Sequence, residues 1–212
     1  MMYKNNLTID FGYICFFINS TMTNLILFGK PGSGKGTQAE FIKNKYNLIH
    51  ISTGDVFRYN ISKQTDLGLM AKSYMEKGDL VPDNVTIKML EAEVNKSPNA
   101  RGFIFDGFPR TTLQAEILDE FLLTKDLSIT MTIALDVEDD ILIERLINRG
   151  KESGRVDDQD KSKIQNRFDE YNEKTSMLID YYNSQQKFYK VEGLGKINEI
   201  TQRIYNLIDS KI

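Results

Sequence analysis

From Asn24 onward the chain alternates short runs of β-branched and apolar residues with longer stretches whose apolar positions recur at helical spacing. The short runs predict strands at Asn24 to Phe28, Leu48 to Ile51, Phe103 to Phe105, Thr130 to Leu135 and Phe188 to Val191. The longer stretches predict helices at Lys35 to Tyr46, Val56 to Lys63, Leu67 to Lys77, Asn84 to Val94, Leu113 to Thr124, Glu138 to Arg149, Lys161 to Asn183 and Ile197 to Ile208, each ending near Gly, Pro, Asn or a polar break. Such alternation is the signature of a parallel sheet wrapped by helices, so the fold class is α/β with a five-stranded parallel sheet. The polar stretch without period, Gly150 to Asp160, is too short to join two domains and reads as a mobile loop on one domain.

Residues Met1 to Thr21 do not share this pattern. A short apolar patch, Phe11 to Ile18, follows a single basic residue, Lys4, and Asp10 abuts it. The segment is read as an extension upstream of a native start at Met22. A signal peptide is the weaker alternative, since Asn19-Ser20-Thr21 offers no small-x-small cleavage pattern. An ordered extra strand or a partner-binding arm is a third.

Composition removes several classes. With 27 Lys plus Arg against 30 Asp plus Glu, the net charge is −3, which gives no global attraction to nucleic acid. One cysteine, Cys15, and one histidine, His50, cannot build a disulfide framework or a Cys/His zinc site, so no zinc is expected. At 41% apolar residues the 212-residue chain can bury one core of ordinary size, and no apolar run approaches the roughly 20 residues a membrane-spanning helix needs. The expectation is a cytoplasmic, single-domain protein with neither nucleic acid nor membrane as partner.

Chemistry enters directly after the first strand, at Gly29-Lys30-Pro31-Gly32-Ser33-Gly34-Lys35-Gly36-Thr37. This is the Gly-x4-Gly-Lys spacing of a P-loop. Glycines let backbone N–H groups converge on a polyphosphate, the following helix presents its positive end, and Lys35 neutralises phosphate oxygens. Gly36 stands where a Ser or Thr usually follows the lysine, so no hydroxyl is available there to ligate Mg²⁺; the ion is expected to be held by ATP and water, with no direct protein ligand. Lys30 is expected to point to solvent. The fold class sharpens to a P-loop NTPase-type three-layer domain.

Two further strings decide the kind of P-loop protein. Ser52-Thr53-Gly54-Asp55-Val56-Phe57-Arg58 follows the second strand, and Phe105-Asp106-Gly107-Phe108-Pro109-Arg110-Thr111-Thr112-Leu113-Gln114 follows the third. A guanine-nucleotide switch would need Asn-Lys-x-Asp, and neither Asn44-Lys45-Tyr46-Asn47 nor Asn95-Lys96-Ser97-Pro98 supplies the Asp. Together with Gly34-Lys35-Gly36-Thr37, the two strings resemble the nucleoside monophosphate kinases and, among them, the adenylate kinases, from Met22 to the C-terminus.

The resemblance implies reversible, Mg²⁺-dependent phosphoryl transfer from ATP to AMP giving two ADP. It implies that Gly32, Ser33, Gly34, Lys35, Gly36 and Thr37 hold the ATP phosphates, with Arg149 against the adenine and phosphates and the backbone at Gly195 beside the base. On the AMP side it implies Thr53, Arg58, Asp79, Leu80, Val81, Gly107, Phe108, Pro109, Arg110 and Gln114, with Arg155 and Arg167 closing on the phosphates. Lys35, Arg110, Arg149, Arg155 and Arg167 would share the transition-state charge, a task suited to permanently charged, bidentate guanidinium groups. Asp106, at the end of a buried strand, would orient Mg²⁺-bound water. Asp157 and Asp158 would pair with the lid arginines. Arg145 is explained equally well by a surface ion pair with Glu138.

Acceptor choice follows from Thr53 and Gln114, whose hydroxyl and amide complement an adenine edge. Relatives acting on UMP or CMP typically have Ala at the position of Thr53 and Asn near that of Gln114. A pyrimidine monophosphate kinase is therefore the runner-up, and a noncatalytic nucleotide-binding module the alternative of another class. His50 is read as a satisfied strand-end side chain, since an AMP phosphate oxygen is already anionic near neutral pH and needs no general base. The expected organisation is an extension at 1–21 and one kinase domain at 22–212, acting as a monomer. Within it lie an AMP-binding arm at 52–81 and a short lid at 148–158, with Gly150 and Gly154 as pivots.

Overall fold

The computed structural model describes residues 22–212, and the expectations for Met1 to Thr21 lie outside the described residues. Five strands, β1 (Leu25–Phe28), β2 (Ile49–Ser52), β3 (Phe103–Asp106), β4 (Met131–Asp136) and β5 (Phe188–Glu192), pair in the order β2-β3-β1-β4-β5, every pairing parallel. The helices that cover them are α1 (Lys35–Tyr46), α2 (Thr53–Ser62), α3 (Asp66–Met75), α4 (Asp83–Asn95), α5 (Thr112–Leu123), α6 (Asp139–Ser153), α7 (Lys161–Glu170), α8 (Leu178–Ser184) and α9 (Ile197–Asp209).

Strand β1 reads Leu-Ile-Leu-Phe without a polar residue because it is buried on both faces, as a central parallel strand must be. Alternation divides its side chains. Leu25 and Leu27 join Ala39 and Ile42 of α1 and Ile200, Ile204 and Ile208 of α9. Ile26 and Phe28 turn to the opposite face, where Leu90 of α4, Leu118 of α5 and Tyr182 of α8 complete the core. Two smaller apolar clusters serve the peripheral parts. Phe57, Ala71, Val81 and Met89 pack the α2–α3 arm, and Leu142, Leu146, Ile164 and Phe168 pack α6 against α7.

The strand order places a switch point at the carboxyl end of β1: after β1 the chain builds outward to β2 and returns through β3, then crosses to β4 on the other side. A crevice opens at such a point, and the glycine-rich loop occupies it.

Two helical expectations need correction. Gly150 belongs to α6, which continues to Ser153 and ends at Gly154 in the left-handed conformation (φ 67°). A Cβ on Gly150 would lie 2.8 Å from the carbonyl oxygen of Asp158, so this glycine permits close packing of backbone rather than pivoting. The helix therefore ends at Gly154 rather than at 149, and the chain then makes a 3₁₀ turn, Val156–Asp158. The single helix expected over Lys161 to Asn183 is interrupted by a π-helical turn, Tyr171–Thr175, in which Ser176 N–H donates to the Tyr171 carbonyl at 2.9 Å. The polar run Asn172 to Ser176 breaks the apolar spacing here but does not by itself distinguish a wider turn from an exposed helical face. Its effect is local: Thr175 Oγ1 donates to the Arg110 carbonyl at 3.0 Å, tying the turn to the loop after β3.

Candidate active site

Helix α1 starts at Lys35 behind Gly34, whose φ of 97° would strain any residue with a Cβ. The turn directs backbone N–H groups and the positive end of α1 into the crevice. Lys35 Nζ donates to the carbonyls of Gly29 (2.6 Å) and Lys30 (3.1 Å). Burial, with Arg110, Arg167 and Arg149 nearby, lowers its pKa to about 8 even though Asp106 opposes the shift. Burial and Arg167 likewise bring Arg110 down to about 10. Buried cations crowded together in this way favour a bound anion.

These groups line one cavity of about 720 Å³. Its lining brings together Gly32, Ser33, Gly34, Lys35, Gly36 and Thr37 with Arg58, Gly107, Arg110, Arg149, Arg155, Arg167 and Gly195. The Ser33 hydroxyl is buried and has no partner. A smaller pocket shares Gly107 and Arg110 with the large cavity and continues through Thr53, Asp79, Leu80, Val81 and Gln114. Thr53 Oγ1 donates to the Gly107 carbonyl at 3.0 Å, leaving only lone pairs for anything else. Gln114 accepts from the Arg110 N–H at 2.8 Å through Oε1. Two residues expected around this pocket sit elsewhere: Phe108 is 1% exposed in the main core, and Pro109, joined to it by a cis peptide, borders a separate small cavity with Leu80.

Three arginines of the cavity are held by carboxylates. Arg149 grips Asp158 in a bidentate pair (2.7 and 2.9 Å), and Arg167 contacts both Asp158 (2.6 Å) and Asp157 (3.0 Å). Burial would raise the Asp158 pKa, but the Arg149 and Arg167 guanidiniums hold it below the usual carboxylate value. Arg155 reaches Asp55 at 3.4 Å on the opposite arm, where Asp55 also pairs with Arg58 at 2.5 Å.

Asp106 is 8% exposed and faces the cavity from the end of β3. Its Oδ2 lies 3.6 Å from where a Cβ on Gly36 would stand, so the missing hydroxyl leaves room beside a carboxylate. That donor arrangement suits an ion whose ligands are water and phosphate. Among the described residues no group of three His, Cys, Asp or Glu is gathered to hold a metal by itself, and no helix is long and apolar enough to cross a membrane.

Some cavity residues escaped the sequence reading. His50, expected to be an ordinary strand-end histidine, also lines the cavity, with Nδ1 3.2 Å from Glu40 and Nε2 3.4 Å from Asp106. Burial disfavours its charge, yet Asp106 and Glu40 raise its pKa on balance. Arg145 lines the cavity and approaches the Gly193 carbonyl at 3.4 Å; no pair with Glu138 forms. Its spacing of one helical turn from Arg149 was the available signal. Lys30 does not point free into solvent: it pairs with Asp139 at 2.7 Å and lies 5.5 Å from the Phe168 ring centroid, linking the loop to α6 and α7.

The comparisons agree with this geometry. A profile of the adenylate kinase family matches residues 27–187. The chain is 61% identical over 189 residues to the adenylate kinase of Flavobacterium psychrophilum, covering 89% of this chain and 100% of that protein. Identity to the adenylate kinase of Flavobacterium johnsoniae is 58% with the same coverage, and to that of Bacteroides thetaiotaomicron 44% over 188 residues, 89% of this chain and 99% of the relative. With a P-loop and an arginine-rich segment lining one cavity, and with matches that span most of the chain, the protein belongs to the adenylate kinase family.

Proposed function

We propose that the protein catalyses reversible transfer of the γ-phosphoryl group of ATP to AMP, giving two ADP, with Mg²⁺ entering as part of the ATP complex. The observation that carries this reading is the shared cavity, which the P-loop lines together with Arg58, Arg110, Arg155 and Arg167, and the Thr53–Gln114 pocket that has Gly107 and Arg110 in common with it. One nucleotide fits each side, with the transferred group between them.

In the transfer, a phosphate oxygen of AMP forms a bond to the γ-phosphorus of ATP as the bond from that phosphorus to the β,γ-bridging oxygen breaks. The electron pair leaves on the β-phosphate of the new ADP, and no proton must be removed from the nucleophile. Gly32 to Thr37 cradle the donor phosphates, and Lys35, Arg110, Arg149, Arg155 and Arg167 offset charge as it shifts from acceptor to leaving group. Asp106 and the open space at Gly36 would receive Mg²⁺-bound water, and the ion supplies charge neutralisation between the phosphates. Gly195 and Arg149 border the donor base, while Thr53, Leu80, Val81 and Gln114 receive the acceptor. Residues 52–81 act as the acceptor arm and 148–158 as a short lid that excludes water. The Arg155–Asp55 contact between these two parts supports this assignment. The enzyme is read as a cytoplasmic monomer whose partners are ATP, AMP and ADP.

The test is ADP formation from ATP and Mg²⁺ with AMP, CMP, UMP, GMP and dTMP at equal concentration. AMP is expected to be strongly preferred. A preference for UMP or CMP would move the chain to the pyrimidine monophosphate kinases, and ATP binding without transfer to any acceptor would make it a binding module.

A further inference from the structure

The acceptor pocket carries an amide whose orientation is fixed by the protein. Gln114 is 2% exposed, and both ends of its side-chain amide are engaged: Oε1 accepts from the Arg110 N–H at 2.8 Å, and Nε2 donates to Asp83 Oδ1 at 2.7 Å. The other oxygen of Asp83 accepts from Thr111 Oγ1 at 3.0 Å, and Thr111 Oγ1 accepts in turn from the Gln114 backbone N–H at 3.2 Å. The ring has a direction. A backbone N–H can only donate and an ionised carboxylate can only accept, so turning the amide over would set donor against donor at Arg110 and acceptor against acceptor at Asp83.

After these bonds the amide retains one oxygen lone pair and one N–H, in a set order, at the wall of the pocket. Thr53 contributes lone pairs only, because its proton is given to the Gly107 carbonyl. An adenine edge offers an amino donor beside a ring-nitrogen acceptor. A 6-oxo purine offers the reverse, a carbonyl acceptor beside a ring N–H. If the amide could turn over, Gln114 would serve either base.

We propose that Asp83 is a specificity-determining positioning residue, which by locking the Gln114 amide makes the acceptor site select 6-amino over 6-oxo purine monophosphates. The inference rests on the assignment of this pocket to the acceptor nucleotide and goes beyond it by explaining which purine is refused and by what device. Asp83 does not touch the base; it acts through Gln114.

The experiment compares kcat and KM for AMP and for IMP, with ATP and Mg²⁺, in the wild-type chain and in Asp83→Asn. The substituted side chain keeps its size but can donate as well as accept, so it removes the clash of acceptor against acceptor and leaves only the Arg110 N–H opposing a turned amide. A lost charge-assisted hydrogen bond predicts that the AMP-to-IMP ratio of kcat/KM falls by about tenfold, chiefly through a higher KM for AMP, while kcat at saturating AMP stays within about threefold. Asp83→Ser, which is too short to hold the amide, should shift the ratio in the same direction and covers the case in which Asn impairs folding. An unchanged ratio in a variant that melts like the wild type, or an equal loss of kcat with both acceptors, overturns the proposal. A wild-type chain that ignores AMP overturns the acceptor-site assignment and this proposal together, whereas a wild-type chain that prefers AMP and an Asp83→Asn variant that keeps the preference overturn this proposal alone.

Discussion

Lys35 shows how a buried cation strains the fold that carries it. Its pKa of about 8 lies below the ordinary lysine value because burial and three arginines disfavour the charged form, so the folded protein binds fewer protons than the unfolded chain between pH 8 and the ordinary value of 10.5. Stability from this group therefore rises as pH climbs through that window, and at neutral pH the full penalty is present. Lys35→Met should abolish transfer yet raise the melting temperature of the nucleotide-free protein by about 2–4 °C at pH 7, with the gain shrinking towards pH 10. Lower melting at both pH values would show that the bonds to the Gly29 and Lys30 carbonyls outweigh the buried charge. Lys35 was legible because the P-loop spacing is a local backbone device, and Arg110 and Gln114 because they stand in one short string. Asp83 was not, since it meets Gln114 across 31 positions only where the starts of α4 and α5 converge. Lys30 was misjudged for the same reason: its partner, Asp139, is 109 positions away.

At the scale of elements, α6 and the turn after it position Arg149 and Arg167. Gly150 lies in a helix, where replacing glycine by alanine ordinarily stabilises by about 1 kcal/mol. Here the added methyl would meet the Asp158 backbone at 2.8 and 2.9 Å. Gly150→Ala should therefore destabilise by about 1–3 kcal/mol in chemical denaturation and raise the KM for ATP, because moving Asp158 releases its grip on Arg149 and Arg167. A stabilised variant with an unchanged KM would show that the lid does not depend on this close approach. The existence and type of most elements followed from hydrophobic period, since buried strands must be apolar and amphipathic helices must repeat. The continuation of α6 past Arg149 and the π turn at Tyr171–Thr175 did not follow, because the first is decided by contact with the turn at Val156–Asp158 and the second falls in a polar run that an exposed α-helical face would show equally.

On the scale of the whole molecule, the parallel sheet could be anticipated from strand–helix alternation, whereas the order β2-β3-β1-β4-β5 depends on which strands meet and is written in no single segment. That order matters for function. It places β1 between β3 and β4, so the P-loop and the Asp106–Arg110 segment emerge side by side and face one cavity. The account rests on Arg110 standing between the two nucleotide sites, and the measurement that tests it most directly is ADP formation from ATP and AMP by Arg110→Ala, alongside the affinity of the same variant for a nonhydrolysable ATP analogue. A fall in kcat of about 10²–10³-fold with analogue affinity changed by less than about threefold is the expected result, as for loss of a group aimed at transition-state charge. Retention of kcat in Arg110→Ala would contradict the shared-cavity mechanism.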